Sequence, residues 1–192
     1  LLLWAVPEER SGGRLRLNSL CGINLGAHAL KRAGHAYRFV YAAPGDDAAL
    51  EAVRTLARAG RARQLLSRAR IGRIGPPPDG FETCQVDLPA LEQRLGVIVV
   101  PVALERVFER VRTADGERID ALEAWAGERL AGLEDLDRGA VRGTLGTYAA
   151  LREMAGQDRY DGLAVRCWPQ FFTDLGCAAC GALAMLNEDR LP

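Results

Sequence analysis

Strand-sized runs of mainly apolar residues recur along the sequence, and helix-like segments separate them. "VIVVPV" (97–102), "LLLWAV" (1–6) and "YRFVYA" (37–42) are such runs. A strand with one face in water alternates apolar and polar residues, whereas a strand without that alternation is covered on both faces, as strands of parallel sheets are. Helices between successive strands provide the cover. The pattern predicts an α/β fold made of two doubly wound three-layer (αβα) units with mainly parallel sheets.

The strand–helix order restarts near Arg70, so we place one unit at 1–69 and a second at 70–192. The chain opens directly on an apolar run rather than on Met. It closes after a helix expected over 174–187, where an α/β pattern would continue with a strand. We therefore expect a piece of a longer protein: the C-terminal part of a first α/β domain and most of a second, both incomplete.

Charge and composition exclude some classes of partner. Lys and Arg number 25, Asp and Glu also 25, and the formal net charge is zero. A neutral chain has no general attraction to nucleic acid or to an anionic membrane. The apolar runs are too short to cross a bilayer. Five cysteines, an odd number, scattered over a chain unlike a small secreted scaffold indicate reduced thiols and a cytoplasmic location.

Cys167, Cys177 and Cys180 lie close together near the end of the chain and suggest a metal or redox site. A structural zinc site requires four ligands, commonly in two closely spaced pairs, and only one such pair is present. A thioredoxin-like pair begins a helix directly after the first strand of its domain, whereas here a gap of about ten residues follows the last strand. In a run of Ala, Leu and Gly, cysteines pack as small apolar side chains. We therefore predict packing, and His28 and His35 lack ligand spacing.

Candidate ligand-binding residues follow from the rule that α/β folds bind ligands outside the carboxyl ends of their strands. Arg166 and Trp168 come at the end of the last strand and combine a fixed charge with a flat apolar ring, a combination that suits sugars. Trp168 could equally cover the edge of the sheet. Asn18 and Asn24 lie at the first helix, where capping explains Asn18 and Ser19, while Asn24 inside the helix favours a polar role.

Three segments carry a resemblance to a known family: "LRLNSLCGINLGAHALKRAGHAYRFVYAAPGDD", "IGPPPDGFETC" and "DGLAVRCWPQFFTDLGCAACGALAMLN". They resemble fucose isomerase-like proteins, which are related to L-fucose and L-arabinose isomerases. The resemblance covers most of the chain and is weakest over 113–139. It implies two α/β domains followed by a β-rich third, and trimers or hexamers. It also implies an aldose–ketose isomerase that uses a divalent metal, usually Mn²⁺, held by Glu, Asp and His, with carboxylates moving a proton through an enediol.

The resemblance also implies what this chain does not supply. In the family, the metal-binding catalytic Glu comes a few residues after the segment that matches 167–187, and the Asp and His come later. We therefore expect the catalytic Glu and Asp after Pro192, no metal ligand or catalytic residue within the chain, and no such role for Glu188 or Asp189. Gln170 stands where a Glu is expected, which leaves the choice of substrate open.

The resulting expectation is a fragment of a metal-dependent sugar isomerase that is inactive alone and binds no Mn²⁺ by itself. Its partner would be a small-molecule sugar rather than nucleic acid or membrane, and the full-length protein would be a homo-oligomer. The alternative is a non-enzymatic sugar-binding α/β protein of the periplasmic-binding type, which also presents Trp and Arg in a cleft. That class requires an export signal and two complete lobes, neither of which the sequence shows. A redox or zinc protein built on Cys177 and Cys180 is the third possibility.

Overall fold

The computed structural model describes residues 1–9, 12–14 and 16–192. The chain divides into two compact units, Leu1–Gln64 (unit 1) and Leu65–Pro192 (unit 2). No described helix is both long enough and apolar enough to cross a membrane.

Unit 1 is built on two parallel strands. Its elements are β1 (Leu2–Ala5), α1 (Ser19–Arg32), β2 (Arg38–Tyr41) and α2 (Asp47–Leu66), the last two residues of α2 belonging to unit 2. β1 and β2 pair in register from Leu2 beside Arg38 to Ala5 beside Tyr41. Among the residues that the structure describes in unit 1, the buried apolar ones are Ala5, Ala27 and Ala49. Small side chains allow close approach of helix and strand, but they bury little apolar area.

Unit 2 contains a three-stranded parallel sheet with β3 at its centre. Its elements are β3 (Arg70–Ile74), α3 (Leu88–Leu95), β4 (Ile98–Val102), α4 (Leu104–Arg112), α5 (Gly116–Gly127), α6 (Arg138–Asp158), β5 (Gly162–Val165), α7 (Gln170–Leu175) and α8 (Ala179–Glu188), with single 3₁₀ turns at Glu82–Cys84 and Leu133–Asp135. The strand order is β4-β3-β5, and both pairings are parallel. The predicted α/β fold with parallel sheets is therefore confirmed.

The main core lies on one face of this sheet. Ile74 and Val102 join apolar residues of α4, α6, α7 and α8 there, and Leu163 and Val165 of β5 pack against the same cluster. The opposite face carries the register row Arg73, Pro101 and Ala164, and these residues are outside the cluster. We call this second surface the Arg73 face. The two faces therefore differ in chemistry, because one is apolar and buried while the other carries a cation.

The single helix predicted over 174–187 is wrong, because two helices occupy this stretch. Gly176 adopts φ 64°, a left-handed conformation that glycine tolerates best, and it ends α7. The N–H of Cys177 then bonds the carbonyl of Phe171 at 3.1 Å, closing the helix end. As a result Cys177 lies between the two helices and Cys180 lies in the first turn of α8.

Candidate functional site

The carboxyl ends of the three strands of unit 2 meet at one edge, as predicted. The Gly75 N–H donates to the carbonyl of Val102 at 2.9 Å, and the Arg166 N–H donates to the carbonyl of Ile74 at 2.9 Å. The loops that follow β3 and β5 therefore leave the sheet side by side, at the edge where α/β folds bind ligands.

Arg166 lies over Gly75 at this edge. A Cβ added to Gly75 would stand 3.1 Å from the Cβ of Arg166 and 3.2 Å from its Cδ, and the φ of Gly75 is +75°. Both facts require glycine there. The Arg166 Nε donates to the carbonyl of Trp168 at 3.3 Å, which fixes the turn after β5. The two terminal nitrogens of the Arg166 guanidinium make no hydrogen bond to any described residue.

Trp168 presents an aromatic surface beside Arg166. Its side chain is 52% exposed, and its ring packs at a tilt on Phe172, with centroids 5.5 Å apart. The peptide bond to Pro169 is cis. Because about half of the residue's surface remains accessible, Trp168 covers the sheet edge only partly.

A second polar site lies in unit 1, at the carboxyl ends of β1 and β2. It is a pocket of about 240 Å³, lined by Val6, Glu8, Asn18, Ser19, Leu20, Cys21, Asn24 and Tyr41. The structure thus brings Asn18 and Asn24 together, as it brings Arg166 and Trp168 together in unit 2. Each pair belongs to its own unit.

The start of α1 differs from the prediction that Asn18 and Ser19 cap it. Asn18 occupies the N-cap position, but its φ of 46° is left-handed and its side chain makes no capping hydrogen bond. The hydroxyl of Ser19 instead donates to the carbonyl of Val6 at 2.5 Å, tying the helix start to the end of β1. With capping excluded for its side chain, the Asn18 amide is available to the pocket.

Glu8 is a pocket residue that the sequence interpretation missed. Its carboxylate accepts the backbone N–H groups of Arg16 at 2.7 Å, Leu17 at 2.6 Å and Asn18 at 2.6 Å. The hydrogen bond from Leu17 is the largest cause that lowers the pKa of Glu8. The carboxylate therefore holds the turn before α1 in place, and no spacing motif marks a side chain that bonds backbone eight to ten residues away.

The prediction that the cysteines pack as small apolar side chains is confirmed for Cys177 and is wrong for Cys180, which is exposed. Cys177 is buried, with its Sγ 3.9 Å from the Thr147 Oγ1. Burial raises the pKa of the Cys177 thiol, and the Thr147 contact opposes that shift. Cys180 is exposed, Cys167 is half-buried, and His28 and His35 are exposed.

No divalent metal site is formed by the described residues. Within 1–9, 12–14 and 16–192, no three His, Cys, Asp or Glu side chains come together in a way that could hold a metal ion. Oxygen and nitrogen donors in such a cluster are what Mn²⁺ requires. The described part of the chain therefore does not fit a resident metal, and no chemical step can be assigned through one here.

Together these features define an α/β protein with parallel sheets and polar surfaces at the carboxyl ends of its strands. No protein-family model matches the chain. It is 33% identical over 191 residues to a protein named sulfoquinovose isomerase from Alkalicoccus urumqiensis, and 33% over 193 residues to one of the same name from Priestia megaterium. A third of that name, from Clostridium sp. (strain MSTE9), is 29% identical over 192 residues. These alignments cover 99% to 100% of this chain but 43% of each relative. The chain thus spans less than half the length of these curated relatives.

Proposed function

We propose that this chain is part of a sugar isomerase that interconverts an aldose and a ketose in carbohydrate metabolism. The observation that carries the proposal is the 33% identity, over the full chain, with proteins named sulfoquinovose isomerase. The resemblance to fucose isomerase-like proteins supports the same reaction class, because both names describe an intramolecular oxidoreduction of a sugar.

Sulfoquinovose is the first substrate to test, since the relatives are named for it. It is a hexose whose sixth carbon carries a sulfonate, so it is an anion at every physiological pH. L-Fucose and L-arabinose, the substrates of the family that the motifs resemble, are neutral. A comparison among these sugars therefore separates the two versions of the proposal.

Four residues are proposed to contact the sugar. In unit 2, Trp168 offers the accessible part of its ring to a C–H face of the sugar, and Arg166 offers its terminal N–H groups to oxygen atoms. In unit 1, Asn18 and Asn24 place amides in the pocket at the start of α1. All four bind and orient; none of them has the chemistry of a general base at neutral pH.

The proton transfer itself is assigned outside these residues. We propose that the catalytic Glu and Asp, with Mn²⁺ or another divalent metal, belong to segments after Pro192 in the complete protein. Residues 1–69 and 70–192 would be the C-terminal part of a first α/β domain and most of a second. A cytoplasmic homo-oligomer, trimeric or hexameric, completes the proposal.

The test is to incubate the complete protein with the sugar and Mn²⁺ and to monitor turnover of the sugar by proton NMR. Conversion of sulfoquinovose to its ketose supports the proposal. Sugar binding without conversion of sulfoquinovose, L-fucose or L-arabinose would contradict it and favour the non-enzymatic sugar-binding class.

Trp168→Ala in the complete protein tests the aromatic contact. The loss of one aromatic face from a sugar is expected to lower kcat/KM about tenfold, which corresponds to ~1.4 kcal/mol. Trp125→Ala is the matched control, because Trp125 is an exposed tryptophan on α5 rather than at the ends of the strands. Unchanged kinetics for Trp168→Ala would assign the ring to covering the sheet edge.

A further inference from the structure

Arg73 on β3 is a cation whose Nε is buried. This Nε makes no hydrogen bond to any residue that the structure describes. Arg73 also forms none of the ion pairs found among the described residues, which involve other arginines. Buried polar atoms in folded proteins are nearly always hydrogen-bonded, so an arginine whose Nε is buried without a partner calls for a functional explanation.

Arg166 lies on the same side of the sheet as Arg73. Arg73 stands beside Ala164 in the β3–β5 register, and Arg166 follows Ala164 by two residues. Residues two apart in a strand share a face, and the Arg166 N–H continues the ladder by bonding Ile74. Diagonal neighbours of this kind are roughly 8 Å apart at Cα. Two arginine side chains can therefore reach one group from these positions.

The charges of Arg73 and Arg166 are not neutralised by any carboxylate within residues 1–9, 12–14 and 16–192. Neither Arg73 nor Arg166 forms an ion pair with any residue in the described part of the chain. The register partners of Arg73 are Pro101 and Ala164, which carry no charge. Two arginines that share a face without a counter-ion repel each other, and an anion that accepts from both removes the repulsion.

We propose that Arg73 and Arg166 form an anion site on the Arg73 face that binds the sulfonate of a sulfonated sugar. A tetrahedral oxyanion presents several acceptor oxygens, and guanidinium groups bind such anions through paired N–H donors. Both arginines would use the terminal nitrogens of their guanidinium groups, because the Arg73 Nε is enclosed by protein atoms and the Arg166 Nε already donates to the carbonyl of Trp168. The identity of the sugar rests on the proposed function, whereas the anion site rests on the two arginines.

A sugar phosphate offers similar chemistry, so the experiment compares three ligands with one hexose framework. The signal is the Nε–Hε resonance of Arg73 in the ¹⁵N-labelled protein, titrated with sulfoquinovose, glucose 6-phosphate or glucose. We expect sulfoquinovose to shift this resonance and glucose to leave it in place. A larger effect of glucose 6-phosphate would assign the site to phosphate esters and overturn the sulfonate assignment.

Variants test the same site through affinity. Arg73→Gln should weaken sulfoquinovose binding at least about tenfold, the loss expected for a charge-assisted hydrogen bond. Arg94→Gln is the matched control, because Arg94 is an exposed arginine of α3 that forms no ion pair with a described residue. Unchanged affinity of Arg73→Gln would overturn the site. The titration of the unaltered protein decides the question if that variant fails to fold.

Kinetics separate this site from the isomerase proposal. If Arg73→Gln converts sulfoquinovose with the same KM as the unaltered protein, the anion-site proposal is wrong and the isomerase proposal stands. If sulfoquinovose shifts the Arg73 resonance but is not converted, the anion-site proposal stands and the isomerase proposal is wrong.

Discussion

At the scale of single residues, Gly72 is the tightest point of the unit 2 sheet. A Cβ at this position would stand 2.8 Å from the Tyr160 Cδ2 and 2.9 Å from the Leu163 Cδ2. Both neighbours belong to packed parts of unit 2, so they yield only by disturbing the core. Overpacking of this kind typically costs about 1–3 kcal/mol. We expect Gly72→Ala to lower the free energy of unfolding by that amount in urea denaturation.

Gly156→Ala is the matched control for Gly72→Ala. Gly156 is an exposed residue of α6, and a Cβ there would meet nothing within 4 Å. Alanine in place of a helical glycine stabilises by roughly 0.5–1 kcal/mol. The two substitutions should therefore have opposite signs. If both substitutions change the free energy of unfolding by the same small amount, Tyr160 and Leu163 can move aside without destabilising the protein.

The thiol of Cys177 should react slowly and at higher pH than the exposed thiols. Burial raises its pKa, so the reactive thiolate forms only above the pH at which an ordinary thiol ionises. Cys180, three residues later, is exposed and serves as the internal control. Iodoacetamide labelling from pH 7 to about pH 9, read by peptide mass spectrometry, should modify Cys180 first.

The same shift has a consequence for stability. In the unfolded chain a cysteine thiol ionises at about pH 8.5, whereas burial raises the pKa of Cys177 in the folded state. The stability that this difference contributes is therefore fully present below about pH 8.5. The contribution is lost as the pH rises through the folded pKa. In Cys177→Ser, Tm should therefore decrease less steeply at alkaline pH than it does in the unaltered protein. Labelling of Cys177 as fast as Cys180 at pH 7 would contradict both expectations.

The sequence pointed to some residues of the candidate site and not to others. Arg166 and Trp168 follow a strand directly, so the rule for strand ends places them, and the edge they occupy was predicted. Glu8 was missed because it acts on the backbone of Arg16 to Asn18, and backbone acceptors leave no pattern in side chains. Arg73 was missed because a lone arginine inside a strand looks like any solvent-facing residue.

At the scale of elements, the strands and most helices could be predicted because strand-sized apolar runs and helix-like segments follow one another along the sequence. The stretch 174–187 is the exception. Its Ala, Leu and Gly content continues a helical pattern through Gly176, and only the left-handed φ of that glycine separates α7 from α8. Composition does not reveal whether a glycine in such a run takes a helical or a left-handed conformation.

The packing of α5 against α6 is reinforced by a cluster of charges centred on Glu123. Its carboxylate accepts from the Arg138 Nε at 2.8 Å and from Arg142 at 2.6 Å, and these bonds, Arg138 first, lower its pKa. A lowered pKa gives stability that is present above the ordinary value of 4.5 and is lost as the pH falls through the folded value. Glu123→Gln should therefore lower Tm near neutral pH, with the difference shrinking well below pH 4.5.

Glu92→Gln provides the comparison for Glu123→Gln. Glu92 is an exposed residue of α3 and forms no ion pair within the described residues. Its replacement should leave Tm nearly unchanged near neutral pH, because an isolated surface charge contributes little to stability. Added salt should also reduce the effect of Glu123→Gln, since exposed ion pairs are screened. A constant Tm difference from neutral to acid pH would show that Glu123 acts through packing rather than charge.

At the scale of the whole molecule, the two units differ in what their cores contain. The buried apolar residues described for unit 1 are three alanines, whereas those of unit 2 include Phe108, Phe171 and Leu151. Buried area governs the hydrophobic contribution to stability, so unit 2 carries most of it. This contrast was not foreseen, because both units show apolar strands and amphipathic helices of similar length. The burial of an apolar residue depends on the elements that surround it rather than on its own segment.

We therefore expect unit 1 to open more readily than unit 2 in native-state hydrogen exchange. The Arg38 and Ala42 amides, which bond across β1 and β2, should exchange at least roughly tenfold faster than the Gly75 and Arg166 amides of the unit 2 sheet. All four are single backbone bonds of 2.9 to 3.1 Å, so bond length does not explain a difference. Rates that coincide at every denaturant concentration would mean that both sheets open in one cooperative step, and that core composition does not divide the stability of this chain.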